Sequence, residues 1–125
     1  RGMAVYGEDR LDEISVNDKT LVLEFGGGEY RKYEISPEQF GIARHDKSEL
    51  LGGTPQENAQ AVRRILSGEK GAGRDAVLLN AGAALHIVRE IPIEEGIKLA
   101  AQTIDSGAAL ATLESYIKVS GEVKE

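Results

Sequence analysis

Apolar positions along this chain follow two rhythms, and the change falls at Ser36. Before it, they come in short runs. Met3-Ala4-Val5-Tyr6 closes at Gly7, as expected of a buried strand running into a loop. Thr20 to Phe25 and Glu29 to Ile35 are rich in strand-forming residues and are separated by Gly26-Gly27-Gly28, a connection of hairpin length. Together they predict a β-hairpin. Its second arm alternates Tyr30, Lys32 and Glu34 with Arg31, Tyr33 and Ile35, so neither face is strongly apolar and the arm is expected at an exposed sheet edge. Between the first strand and the hairpin, the loop from Gly7 to Ser15 carries the acids Glu8, Asp9, Asp12 and Glu13.

From Ser36 onward the spacing is helical. Ser36-Pro37-Glu38-Gln39 sets a capping serine before a proline at the first helical position, with Gln39 placed to complete a capping box, and predicts a short turn ending at Gly41. Leu50-Leu51-Gly52-Gly53 stops a second short segment. Thr54-Pro55-Gln56-Glu57 repeats the cap signature and starts a full helix, in which Ala59, Val62, Ile65 and Leu66 keep helical spacing until Gly68. Asp75 to Arg89 are apolar on most sides of the wheel, which predicts a buried helix, and its small residues Ala81 to Ala84 admit a close neighbouring backbone. Pro92 ends that element and opens an amphipathic helix from Ile93 to Asp105, with Ile97, Ala100, Ala101 and Ile104 inward. After the break at Ser106-Gly107, a last helix from Gly107 to Val119 uses Ala108, Leu110, Ala111, Leu113, Tyr116 and Ile117, and the polar tail from Ser120 is expected to fray.

The elements add up to strand, acidic loop, β-hairpin, then four to five helices, an α/β class chain with too little sheet to cover its helical faces. A larger upstream sheet would resolve the mismatch. Only Arg1 and Gly2 precede the first apolar run, so the start is read as a cut through a longer protein. The 125 residues, 41% of them hydrophobic, suit one ordinary domain or most of one. A net charge of −6 provides no basic footprint for nucleic-acid phosphates or anionic lipid. With no cysteine, disulfides, thiolate metal sites and cysteine nucleophiles are excluded from these residues. No apolar run approaches the roughly 20 residues that span a bilayer, and no signal-like segment opens the chain. Neither nucleic acid nor membrane is expected as a partner, and the expected compartment is the cytoplasm.

One segment carries a specific resemblance. Val5-Tyr6-Gly7-Glu8-Asp9-Arg10-Leu11-Asp12-Glu13-Ile14-Ser15 is similar to a loop of anthranilate phosphoribosyltransferases that commonly reads Val-His-Gly, two variable residues, Gly-Leu-Asp-Glu and a serine or threonine. The match continues through Ser36 to Gly41, Leu51 to Ala59 and Asp75 to Leu85, and ends in Ile104 to Ala109 followed by a leucine-bearing helix. These blocks keep the family's order across nearly the whole chain.

The resemblance implies an enzyme of tryptophan biosynthesis that transfers phosphoribosyl from phosphoribosyl pyrophosphate to the anthranilate nitrogen and releases pyrophosphate. It implies a nucleoside phosphorylase/phosphoribosyltransferase-like fold in which residues 1–125 form the C-terminal part of the large α/β domain. The helical N-terminal domain and the first part of the α/β domain, with their substrate loops, lie outside this sequence. No catalytic residue is therefore assigned here. A homodimer is implied for the full-length enzyme, and the isolated fragment is expected to be inactive. Asp12 and Glu13 match the family's acidic pair, which implies that they hold Mg2+ against the pyrophosphate. Magnesium prefers oxygen ligands and keeps several waters, so one or two carboxylates suffice beside substrate phosphates. Which of the two binds directly and which through water is open.

Two residues depart from the family pattern. Tyr6 stands where histidine is common, and Arg10 replaces the usual glycine before Leu11, which bears on the loop backbone if that position needs positive φ. Glu8 and Asp9 are expected to be solvated. His45 and His86 lack a second histidine or cysteine at ligand spacing and are read as structural. Asn80, within a buried helix, is expected to satisfy backbone groups of a neighbouring element. Two alternatives stand beside the leading reading: a non-catalytic relative of the same fold that binds nucleic acid, and a pyrimidine-nucleoside phosphorylase relative. The acidic balance and the retained Asp-Glu pair disfavour the first; the C-terminal blocks look less like the second.

Overall fold

The computed structural model describes residues 1–122. Strands β1 (Gly2–Gly7), β2 (Thr20–Gly26) and β3 (Glu29–Ile35) form an antiparallel sheet in the order β1-β2-β3. Register pairs Val5 with Val22 and Gly7 with Thr20, and on the other side Val22 with Tyr33 and Thr20 with Ile35. The turn between β2 and β3 takes positive φ at both Gly27 (61°) and Gly28 (85°), a demand that glycine meets without strain. β1 thus adds a third strand to the predicted hairpin. It is also less buried than its apolar run suggests: Ala4 and Tyr6 face solvent, Tyr6 at 52%.

Two short 3-10 turns, Pro37–Phe40 and Lys47–Leu50, lead to the helices α1 (Pro55–Leu66), α2 (Ala72–Arg89), α3 (Ile93–Asp105) and α4 (Ala108–Glu122). The caps read from sequence are in place. Gln39 Oε1 accepts from Ser36 N at 3.0 Å, and Thr54 Oγ1 accepts from Glu57 N while Glu57 Oε2 accepts from Thr54 N. A third box, Asp46 with Glu49, adds to those that the sequence announces. α2 begins three residues before the expected Asp75, and α4 runs on past Val119 through Ser120 to Glu122. The remainder of the tail expected to fray, residues 123–125, lies outside the described residues.

The core lies between the inner sheet face and helices α2 and α3, on Val16, Val22, Ile35, Leu79, Ala83, Ile97, Ala100 and Ile104. The two helices meet at glycines. A Cβ on Gly96 would sit 2.3 Å from the carbonyl oxygen of Gly82, so both positions must stay bare for this approach. Contrary to its pattern, α2 is not buried all round. Val77, Ala84 and Val88 face solvent, Val88 at 79%. α1 and α4 bury no residue fully, and Tyr116 on the predicted inward set of α4 is 70% exposed. No single helix among the described residues is long and apolar enough to cross a membrane.

A charged group joins sheet to helix. Glu24 of β2 points inward, on the same face as Val22, and is buried. Its carboxylate accepts from Arg31 Nη2 (2.7 Å), Tyr33 Oη (2.9 Å) and Arg1 Nη2 (3.3 Å), and lies 3.3 Å from His86 Nε2 on α2. Burial pushes this carboxyl up, but the hydrogen bonds from Arg31, Tyr33, His86 and Arg1 together outweigh it and hold the pKa at about 2. Tyr33 moves the other way, raised to about 12 by burial and by its bond to the Glu24 carboxylate. His86 also meets the Ile91 carbonyl through Nδ1, so it is a structural residue as expected.

Candidate functional site

The acidic loop is built as a folded turn. Gly7 N donates to Leu11 O and Arg10 N to Gly7 O, both at 2.8 Å, which closes the loop on itself. Arg10 at the bend has φ of 71°, the left-handed region in which a glycine would rest without penalty. The departure at this position is thus accommodated with the backbone a glycine would take. Gly7 has no room for a side chain, because a Cβ there would lie 2.4 Å from Asp9 Oδ1. Asp9 is not simply solvated. Its carboxylate accepts from Leu11 N (3.3 Å) and lies 3.0 Å from the hydroxyl of Ser15, a fully buried residue that also accepts from the amides of Asn17 and Asp18. Ser15 N in turn donates to Thr20 Oγ1 at 2.9 Å.

Three contacts brace this loop from outside. Lys47 Nζ donates to the Asp9 carbonyl at 2.8 Å, and His45 N donates to the Val16 carbonyl at 3.0 Å. His45 is itself held by Asp75 at the start of α2, with Nε2 2.8 Å from the carboxylate. The Asp75 hydrogen bond, joined by the nearby charges of Asp75 and Glu49, raises the His45 pKa above its ordinary value despite partial burial. The third brace is Asn80 on α2. Its Oδ1 accepts from Ile14 N at 2.9 Å, and its Nδ2 donates to Ile14 O at 3.0 Å and to Ala76 O at 3.0 Å. The expectation that Asn80 serves the backbone of a neighbouring element is met, and that element is the acidic loop.

Asp12 and Glu13 stand on this support with exposed side chains. Neither carboxylate has a hydrogen bond or salt bridge to another side chain among the described residues, although Asp9, Asp18 and Glu24 nearby in sequence are all engaged. The donor set fits a hard cation that brings its own waters. It does not form a cage: no group of three or more His, Cys, Asp or Glu is gathered for a metal among the described residues. Two exposed carboxylates are as many protein donors as a magnesium ion with several retained waters calls for. The N–H groups just before α1 are not free for an anion, since Gly53 N donates to Asn58 Oδ1 and Thr54 N to Glu57 Oε2.

Sequence reasoning missed Asp9, Ser15 and Lys47 as parts of the site. Asp9 and Ser15 had a signal, the short polar side chains that bond nearby backbone groups in turns. Lys47 had none, being 38 residues from its partner.

Residues 1–110 match the glycosyl transferase family, a/b domain. The chain belongs to this family. Within the glycosyl transferases, it is 52% identical over 122 residues to an anthranilate phosphoribosyltransferase of Rubrobacter xylanophilus, a match covering 96% of this chain and 36% of that relative. Among solved structures, the anthranilate phosphoribosyltransferase of Thermus thermophilus superposes with a TM-score of 0.84 at 39% identity, covering 94% of this chain and 35% of that one. The Saccharomyces cerevisiae enzyme in complex with PRPP and Mg gives 0.87 at 28% identity, over 97% of this chain and 35% of its own. The resemblance seen in the sequence blocks therefore holds over almost the whole chain, with the nucleoside phosphorylase/phosphoribosyltransferase-like fold it implied. The chain spans about a third of the relatives it matches.

Proposed function

We propose that this chain is the C-terminal part of the α/β domain of an anthranilate phosphoribosyltransferase, in which Asp12 and Glu13 hold Mg2+ against the pyrophosphate of phosphoribosyl pyrophosphate. The observation that carries the reading is the pair itself: two exposed carboxylates without side-chain partners among the described residues, on a loop whose backbone is fixed on both sides. Relatives named for this activity at up to 52% identity support it, as does a solved neighbour in complex with PRPP and Mg. The same resemblance supports a homodimer for the complete enzyme.

In the transfer, a bond forms between the anthranilate nitrogen and C1 of the ribose, the bond from C1 to the pyrophosphate oxygen breaks, and the nitrogen gives up a proton. Magnesium, when bound, supplies Lewis-acid stabilisation of the charge that collects on the departing pyrophosphate. This chain's own part is at the leaving group. Asp12 and Glu13 would provide oxygen ligands, and the braced loop fixes the backbone that carries them. Groups that bind the ribose and anthranilate belong to the remaining two thirds of the protein.

Asp12→Asn with Glu13→Gln in the full-length enzyme is expected to raise the Mg2+ concentration for half-maximal turnover by tenfold or more, about 1.4 kcal/mol of binding. Both side chains are exposed, so the melting temperature should hold. An unchanged magnesium dependence would contradict the assignment.

A further inference from the structure

We infer that Asn80 is a positioning residue for the metal-binding pair, fixing Asp12 and Glu13 in space through the backbone of Ile14; the inference rests on the magnesium role proposed above. Ile14 directly follows Glu13, and Asn80 is bonded to both of its backbone polar groups, N at 2.9 Å and O at 3.0 Å. The amide cannot turn over. Its second N–H is held by Ala76 O at 3.0 Å, and the reversed orientation would set the amide oxygen against two carbonyls and the NH2 group against an N–H.

The other braces do not do this work. Asp9 and Ser15 fix the internal turn, Lys47 joins the loop to an exposed turn, and His45 meets Val16 just beyond the loop. Among the described residues Asn80 is the one α2 side chain hydrogen-bonded directly to the loop, since Asp75 reaches only His45, whose amide meets Val16 just beyond it; the place of α2 is fixed by the bare contact between Gly82 and Gly96. The loop is thus referenced, at the residue beside its ligands, to a helix held in close backbone contact with its neighbour. Groups that orient metal ligands typically account for roughly 10–100-fold in affinity.

The test compares variants of the full-length enzyme by magnesium dependence of turnover and by Mn2+ binding in the presence of phosphoribosyl pyrophosphate, read by electron paramagnetic resonance. Asn80→Ala and the near-isosteric Asn80→Asp, which removes both Nδ2 donors while keeping the volume, should each weaken Mn2+ binding about tenfold and raise the half-saturating Mg2+ by a similar factor. Backbone exchange at Ile14 should quicken in both. Ile104→Ala, a core truncation on α3 that leaves both Asn80–Ile14 hydrogen bonds in place, should lower the melting temperature without moving either metal constant. If Asn80→Asp leaves metal binding unchanged while Asp12→Asn with Glu13→Gln weakens it, Asn80 is merely structural and the inference is overturned. If the double carboxylate variant also leaves it unchanged, the metal reading itself falls.

Discussion

Arg10 holds a left-handed backbone that costs an L-residue roughly 1–2 kcal/mol, against the roughly 0.5–1 kcal/mol that glycine loses in chain entropy. Arg10→Gly should therefore stabilise the protein by about 0.5–1 kcal/mol, read as a small rise in melting temperature, with the loop geometry and magnesium dependence unchanged. A fall in stability would mean that the Arg10 side chain contributes more than its backbone costs. This conformation is legible in the sequence, because the family's glycine at that position already suggests positive φ. The acidic pair is read from a spacing within a longer motif, and the structure leaves both side chains exposed. Glu24 is not legible in the sequence: in a strand, a charged residue on the inward register reads as a solvent position, and only its four partners, drawn from the N-terminus, β3 and α2, show why it is buried.

Between elements, Glu24 is the main polar tie from sheet to helix. Its folded pKa, about 2, lies below the ordinary 4.5, so its contribution is fully present above pH 4.5 and is lost as the pH falls toward 2. The shift corresponds to roughly 3 kcal/mol. Glu24→Gln should lower stability at pH 7 and flatten the acid limb of the stability profile between pH 4.5 and 2; an acid limb identical to that of the parent would contradict this. His45 acts with the opposite sign. Its raised pKa gives stability that is present below its ordinary 6.5 and is lost as the pH rises through the folded value. The contact of α2 with α3 gives a second test. Gly96→Ala forces a Cβ to within 2.3 Å of a backbone carbonyl, so the helices must separate, at about 1–3 kcal/mol, and an unchanged melting temperature would contradict the packing. The glycine-containing small-residue run Ala81 to Ala84 announces a close approach; its partner Gly96 lies in the next helix, out of reach of any periodicity argument.

For the molecule as a whole, apolar surface is left uncovered beside the core. Met3, Val5, Ala84, Ile87 and Val88 line an open groove between β1 and α2 that begins beside Ile14. On the proposed reading, the rest of the α/β domain packs there, and this explains why α2 is patterned as buried yet is open on one side. Sequence patterning reports the burial of a residue in its complete protein, and these 125 residues are about a third of the relatives they match. On the proposed reading the isolated chain should form no phosphoribosyl anthranilate; detectable product would contradict it. The most direct measurement is the position of the metal. In crystals of the full-length enzyme grown with Mn2+ and phosphoribosyl pyrophosphate, anomalous scattering should place an ion beside the pyrophosphate oxygens, held by Asp12 or Glu13 directly at about 2.1 Å or through one water. An ion bound to pyrophosphate but out of reach of both carboxylates would contradict the account.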